Sequence, residues 1–173
     1  FHDNTSAKQL LDYPGVSLPG GLLAAGGNAT QELEAALDNL FHHPNVGPFL
    51  ALRLIQRLVT SNPTPAYVGR VAAAFDDNGQ GVRGDLKAMV RATLMDPEAR
   101  TGHLARPTAF GKLREPLLRT THLWRALGAR SEGGRIKTLE PWPPIQDWYG
   151  QGPLRSPSVF NFYRPDFRPL GEV

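Results

Sequence analysis

From Asn28 to Leu127 apolar residues recur every three to four positions, and a chain with that period folds as helices packed through one face. Leu33, Ala36, Leu37, Leu40 and Phe41 fall at i, i+3, i+4, i+7 and i+8, with Glu32, Glu34, Asp38 and Asn39 off the stripe. This predicts a helix opening at Asn28, burying its leucines, and ending at His42-His43-Pro44, because the residue before a proline is pushed out of the α region. A second helix follows, with Asn45 as cap and Pro48 in its first turn. Leu50, Ala51, Leu52, Leu54, Ile55, Leu58 and Val59 cover most of its circumference, so it is expected at the buried centre. Thr64 with Pro65 starts a third helix carrying Val68, Val71, Ala72 and Phe75. Asp85 caps a fourth with Leu86, Met89, Val90, Thr93 and Leu94, which Asp96-Pro97 breaks. A fifth, from about Arg114 or Pro116 to Leu127, places Leu117, Thr120, Trp124 and Leu127 on one side, with Pro116 best placed in its first turn.

The flanks lack this period. Tyr13-Pro14-Gly15 and Leu18-Pro19-Gly20-Gly21 are turn chemistry, predicting an irregular arm or a short hairpin. After Gly128 the chain turns proline-rich and aromatic, with Trp142, Trp148, Tyr149, Phe160, Phe162, Tyr163 and Phe167. Left in water these rings would be costly, so an ordered wrap over the core is expected. The reading is an all-α, irregular bundle of about five main helices, with residues 1–27 as arm, 28–128 as helical core and 129–173 as wrap, all one domain.

Composition excludes several functions. The chain has no cysteine, so disulfides, thiolate nucleophiles and sulfur-ligated zinc are out. The longest apolar helix, around Phe49 to Val59, is interrupted by Arg53, Gln56 and Arg57 and falls short of the roughly 20 residues that span a bilayer. A net charge of +3 comes from 19 basic residues dispersed among 16 acids, without the clustering or interleaved aromatics of a nucleic-acid face. The opening Phe1-His2-Asp3 has neither an initiator Met nor a leader, and a processed or trimmed product is expected.

Three places can hold chemistry. His2 and Asp3, with Lys8 nearby, put an imidazole beside a carboxylate in a non-helical arm, an ordinary acid–base arrangement and the candidate catalytic group. Gly79-Gln80-Gly81-Val82-Arg83-Gly84 fits G-x-G-x-x-G but follows a helix instead of a strand, so no nucleotide cofactor is expected. Gly79, Gly81, Arg83 and Gly84 can still cradle an anion at the start of the fourth helix, although an interhelical loop whose glycines take positive φ explains them more simply. The same loop opens like a calcium site, with Asp76, Asp77, Asn78 and Asp85 as oxygens. Its twelfth position is Lys87, where a bidentate carboxylate is required, so calcium is the lesser reading. His42 and His43 point about 100° apart, and a helix C-terminus accounts for them without a metal. Nucleophile signatures such as G-x-S-x-G, S-x-x-K and H-E-x-x-H are absent.

The stretches LDNLFHHPNVGPFLALRLIQRLVTSNPTPAYVGRVAAAF and DDNGQGVRGDLKAMVRATLMDPEAR, with the upstream HDNTSAK and the later FGKLREPLLR and LRSPSVFNFYRPDF, resemble the C-terminal half of the bacterial domain-of-unknown-function family 1800. The resemblance implies a helix-rich, exported protein of roughly twice this length, whose N-terminal half is the expected partner, and it implies no catalytic residues. Two functions follow as expectations. One is a non-catalytic scaffold or interaction domain with a protein partner in an exported assembly. The other is the C-terminal part of a hydrolase-like enzyme, which requires His2, Asp3, Lys8 and Arg83 to converge on one cleft.

Overall fold

The computed structural model describes residues 2–135, 150–152, 154–157, 163–164 and 167–168. The chain forms two compact units, Phe1–Phe110 and Gly111–Val173. The fold is mostly helical, as the periodicity predicts.

In the first unit the helices are α1 (Ala29–Phe41), α2 (Val46–Leu58), α3 (Pro65–Asp76), α4 (Leu86–Met95) and α5 (Pro97–Ala105). Capping residues start them where local chemistry requires. Asn28 Oδ1 accepts from the Gln31 amide at 3.0 Å, Thr64 Oγ1 from Tyr67 at 3.2 Å and Asp85 Oδ1 from Ala88 at 3.0 Å. Asn45 supplies no side-chain cap to α2; its own amide donates to His43 Nδ1 at 3.1 Å. Asp96-Pro97 does end α4, but it also opens α5, a helix the periodicity did not reveal. Asp96 Oδ1 accepts from the Glu98 amide at 2.8 Å, and Pro97 occupies the first turn, where a missing N–H costs nothing. The arm is a hairpin: β1 (Lys8–Gln9) pairs antiparallel with β2 (Leu22–Leu23), Lys8 opposite Leu23. Its return needs Gly21 at φ 65°, where a Cβ would meet the Leu11 carbonyl oxygen at 2.7 Å.

The core comprises Ala51, Ile55, Tyr67, Val71, Ala72, Phe75 and Met89, with Leu50, Leu54, Val59 and Val68 packed around it. Its centre is α3, which packs against both α2 and α4. Helix α2, expected as the buried centre, is buried on one face. Gly47, Ala51 and Ile55, four apart, turn inward, whereas Phe49 and Leu58 are about half exposed because the neighbours cover one side only. Polar locks close the other end. Tyr67 donates its hydroxyl to the Thr93 carbonyl, Arg70 grips Asp96 with two hydrogen bonds of 2.7 and 2.9 Å, and Glu98 accepts from the Thr64 amide at 2.9 Å and from Arg106 at 3.1 Å.

The larger correction concerns α1. Leu33, Leu37 and Leu40 are 60, 56 and 52 % exposed, while Glu32 and Asn39 are buried. The amphipathic period is present, but the side turned inward carries Glu32 and Asn39 with the half-buried Ala35 and Ala36, while Glu34 and Asp38 stay exposed with the leucines. Asn39 is held there: its amide accepts from Leu11 N at 3.2 Å and donates to Leu11 O at 2.9 Å, and Tyr13 donates its hydroxyl to the Asn39 carbonyl at 2.7 Å. The arm thus satisfies two backbone groups through α1, and the leucines lie 80–140° round the helix from Glu32 at roughly 100° per residue.

In the second unit α6 (Pro116–Ala126) begins with Pro116 in its first turn, as expected, and buries no residue fully. Tyr163 is buried; its hydroxyl accepts from the Gly152 amide at 3.0 Å and donates to the Gly152 carbonyl at 3.1 Å, and its ring packs on Phe167. Trp142, Trp148, Tyr149, Phe160 and Phe162, expected to cover the core, lie outside the described residues.

Candidate functional site

Strand pairing of β1 brings Lys8 beside the first turn of α1, and a turn at Asp3 brings His2 to the same place. Asp3 Oδ1 accepts from Thr5 N and Thr5 Oγ1, both at 2.8 Å, and from Ser6 N at 3.2 Å. Those donors, the Thr5 amide first, hold its carboxyl well below the usual carboxylate range. Lys8 Nζ lies 2.7 Å from Glu32 Oε2 and donates to the carbonyls of Asp3 at 2.5 Å and Ser6 at 3.3 Å. His2 Nε2 stands 3.4 Å from the same Glu32 oxygen.

Of the residues singled out in the sequence, His2 and Lys8 meet on Glu32, which was not singled out, and the Asp3 carboxylate faces Thr5 and Ser6 instead of the imidazole. Glu32 is buried, and its second oxygen, Oε1, has no hydrogen-bond partner. Gly27 faces that oxygen, so closely that a Cβ there would meet it at 2.8 Å. Nothing local distinguished Glu32 from Glu34, two positions on and exposed. Chemically, the group is a carboxylate with an ammonium and an imidazole on one oxygen. The ammonium is saturated by three oxygens and is not a free nucleophile, whereas the imidazole can exchange a proton with the carboxylate.

Arg83 does not join them. Its guanidinium donates to the Phe41 carbonyl at 3.2 and 3.1 Å and to the His43 carbonyl at 3.4 Å, and it pairs with Asp76. It also lies beside the packed pair of Phe41 and Phe75 rings, 5.5 and 4.8 Å from their centroids. There it neutralises the C-terminal carbonyls of α1. Glu32 is nine residues away, about 14 Å along the helix.

The glycine loop is occupied from within. The Gly79 and Gly81 amides donate to Asp77 Oδ1 at 2.8 and 2.9 Å, those of Gln80 and Val82 to Asn78 Oδ1 at 3.0 and 3.3 Å, and that of Gly84 to the Phe75 carbonyl at 2.8 Å. The N–H groups an anion would need therefore bind Asp77 and Asn78, and the Gly81 and Gly79 amides lower the Asp77 pKa. Of the four calcium candidates, Asp76 pairs with Arg83, Asp77 and Asn78 accept from the loop backbone, and Asp85 caps α4 while accepting from Asn78 Nδ2 at 2.9 Å. Gly79, Gly81 and Gly84 have φ of 88, 76 and 84°, the conformation of the plain-loop reading. Among the described residues no group of three or more His, Cys, Asp or Glu side chains gathers as a metal site.

His42 Nδ1 donates to the Asp38 carbonyl at 2.9 Å, closing the end of α1. A shallow depression of about 470 Å³ between α3 and α4 is lined by apolar Ala74, Ala88, Ala92 and Met95 and by Asp77, Asn78, Arg91 and Asp96; neither His2 nor Lys8 reaches it. No described helix is long and apolar enough to cross a membrane.

A family model described as "Protein of unknown function (DUF1800)" matches residues 2–172. The chain belongs to this family. The match to DUF1800 takes in both compact units, and so covers the hairpin, the Glu32 group and the glycine loop alike. No curated protein and no solved structure matches the chain.

Proposed function

We propose that this chain is a non-catalytic scaffold or interaction domain of an exported bacterial protein, and that α1 is its docking face. The observation that carries the reading is the inverted mounting of α1. A helix held inward at Asn39 and Glu32 keeps three leucines in water. Burying each relative to leaving it exposed is worth about 1.5–3 kcal/mol, a term that a protein partner recovers. The clamps at both ends, Lys8 on Glu32 and Arg83 on the Phe41 carbonyl, hold the face in place without covering it.

The test is a photo-crosslinking side chain at position 37 in the natural protein, expressed in its host, with the exposed position 91 of α4 as control. A protein adduct at 37 that is missing at 91 is the expected result; no adduct at 37 refutes the docking face. An adduct within a longer natural polypeptide would assign the face to its N-terminal half, and one to a separate protein would assign it to an assembly.

A second reading, the C-terminal part of a hydrolase-like enzyme, is supported by the orphaned Oε1 of Glu32 beside His2 and Lys8. It requires turnover of chromogenic phosphate, sulfate or carboxylate esters that His2→Ala and Glu32→Gln abolish while the protein stays folded. Turnover equal in all three proteins would refute it.

A further inference from the structure

The inference here rests on the reading of α1 as a docking face and specifies what docks there. Leu33, Leu37 and Leu40 are spaced four and then three apart, the seam that receives one other helix. One edge of that seam is acidic: Glu34 stands about 60° round the helix from Leu37 and Asp38, a turn further on, about 100°, both exposed, and neither carboxylate has an ion-pair partner among the described residues. The opposite edge is small, with Ala29 and Ala36, so a partner backbone can come close. From Ala29 to Phe41 there is no Lys, Arg or His. The third acid of the helix, Glu32, faces inward onto Lys8 and contributes nothing to this surface.

Charge decides between occupants. A second copy of α1 would bring the same two carboxylates and no base, leaving the acids unpaired in either orientation. A neutral apolar segment would cover the leucines and gain nothing from the edge. We propose that this face receives an amphipathic helix of another protein, whose apolar stripe is bordered by lysine or arginine. Its bases pair with Glu34 and Asp38 and fix which way round it lies.

Two labelled helical peptides test this, identical in their leucine stripe, one bordered by Lys and the other by Glu, each titrated with the 173-residue chain by fluorescence anisotropy. The Lys-bordered peptide binds about tenfold tighter at low ionic strength, the yield of two exposed ion pairs, and the margin narrows as salt shortens the screening length. Leu37→Asp removes binding of both peptides. The double variant Glu34→Lys, Asp38→Lys, on the exposed face where folding is not at stake, inverts the preference. Equal affinities overturn the basic partner and leave the docking face standing. Binding of neither peptide, or self-association of the chain that Leu37→Asp abolishes, overturns the proposed occupant outright. The crosslink at position 37 reports on the docking face independently.

Discussion

Truncating Asn39 to alanine tests the inverted mounting of α1 most directly. The side chain is buried and makes two hydrogen bonds to one backbone residue, 3.2 Å from Leu11 N and 2.9 Å to Leu11 O. Each is worth about 1 kcal/mol net, so about 2 kcal/mol is lost when both go. The loss would approach about 4 kcal/mol if the Leu11 groups were left dry, but Leu11 is itself 46 % exposed and water reaches it, so the lower figure applies. The arm should then open from α1 roughly 30-fold more often, since about 1.4 kcal/mol is a factor of ten. Native-state hydrogen exchange at the Leu11 amide reads that opening, and urea unfolding reads the total. Asn39→Leu fills the same space without the bonds and should match Asn39→Ala to within about 0.5 kcal/mol; Asn39→Asp keeps the acceptor, loses the donor and recovers at most one bond. If Asn39→Ala costs under about 0.5 kcal/mol, or leaves exchange at Leu11 unchanged, the clamp does not orient the helix.

Other expectations follow from the same contacts. Leu37→Ser should change stability by less than about 0.5 kcal/mol, whereas Ile55→Ala, with no exposure at all, should cost about 2–5 kcal/mol in the same urea titration; equal costs would mean that the leucine face is buried after all. Gly84→Ala places a Cβ 2.6 Å from the Phe41 ring at φ 84° and should cost about 2 kcal/mol or more, measured by thermal unfolding, while Gly79→Ala, with positive φ and open space, should cost less. Burial of Asp96 raises its pKa, but the hydrogen bonds from Arg70 and Glu98 and the Arg70 charge outweigh this, and its carboxyl ends below the ordinary value. The unfolded chain therefore binds the proton more readily. This contribution is full above about pH 5 and is lost as pH falls through the carboxylate range, so stability against pH should be shallower from about pH 5 to 3 in Asp96→Asn. Asp77 and Asp85 shift the same way, and the slope flattens without vanishing; an unchanged slope would refute the coupling.

Much of the candidate site was visible in residue types. His2 and Lys8 stand together because they are close in sequence on one short arm, while the Asp3 side chain turns back on Thr5 and Ser6. Glu32 was not visible as their partner, because its capture depends on a hairpin that returns Lys8 to the start of α1. Arg83 looked like an anion ligand beside glycines, but its charge is committed to carbonyls of a helix about 40 residues earlier.

What the residues alone determine is local. Caps at Asn28, Thr64 and Asp85, breaks at Pro44 and Pro97, and the three-to-four spacing all act within a turn or two, where backbone geometry and side-chain hydrogen bonds need no distant partner. Which face of a helix turns inward is a different matter. Hydrophobicity favoured the leucines of α1, and only the assembled chain brought Leu11 to Asn39 across 28 residues and offered Lys8 to Glu32. Those two contacts hold Glu32 and Asn39 inward, and the leucines face outward.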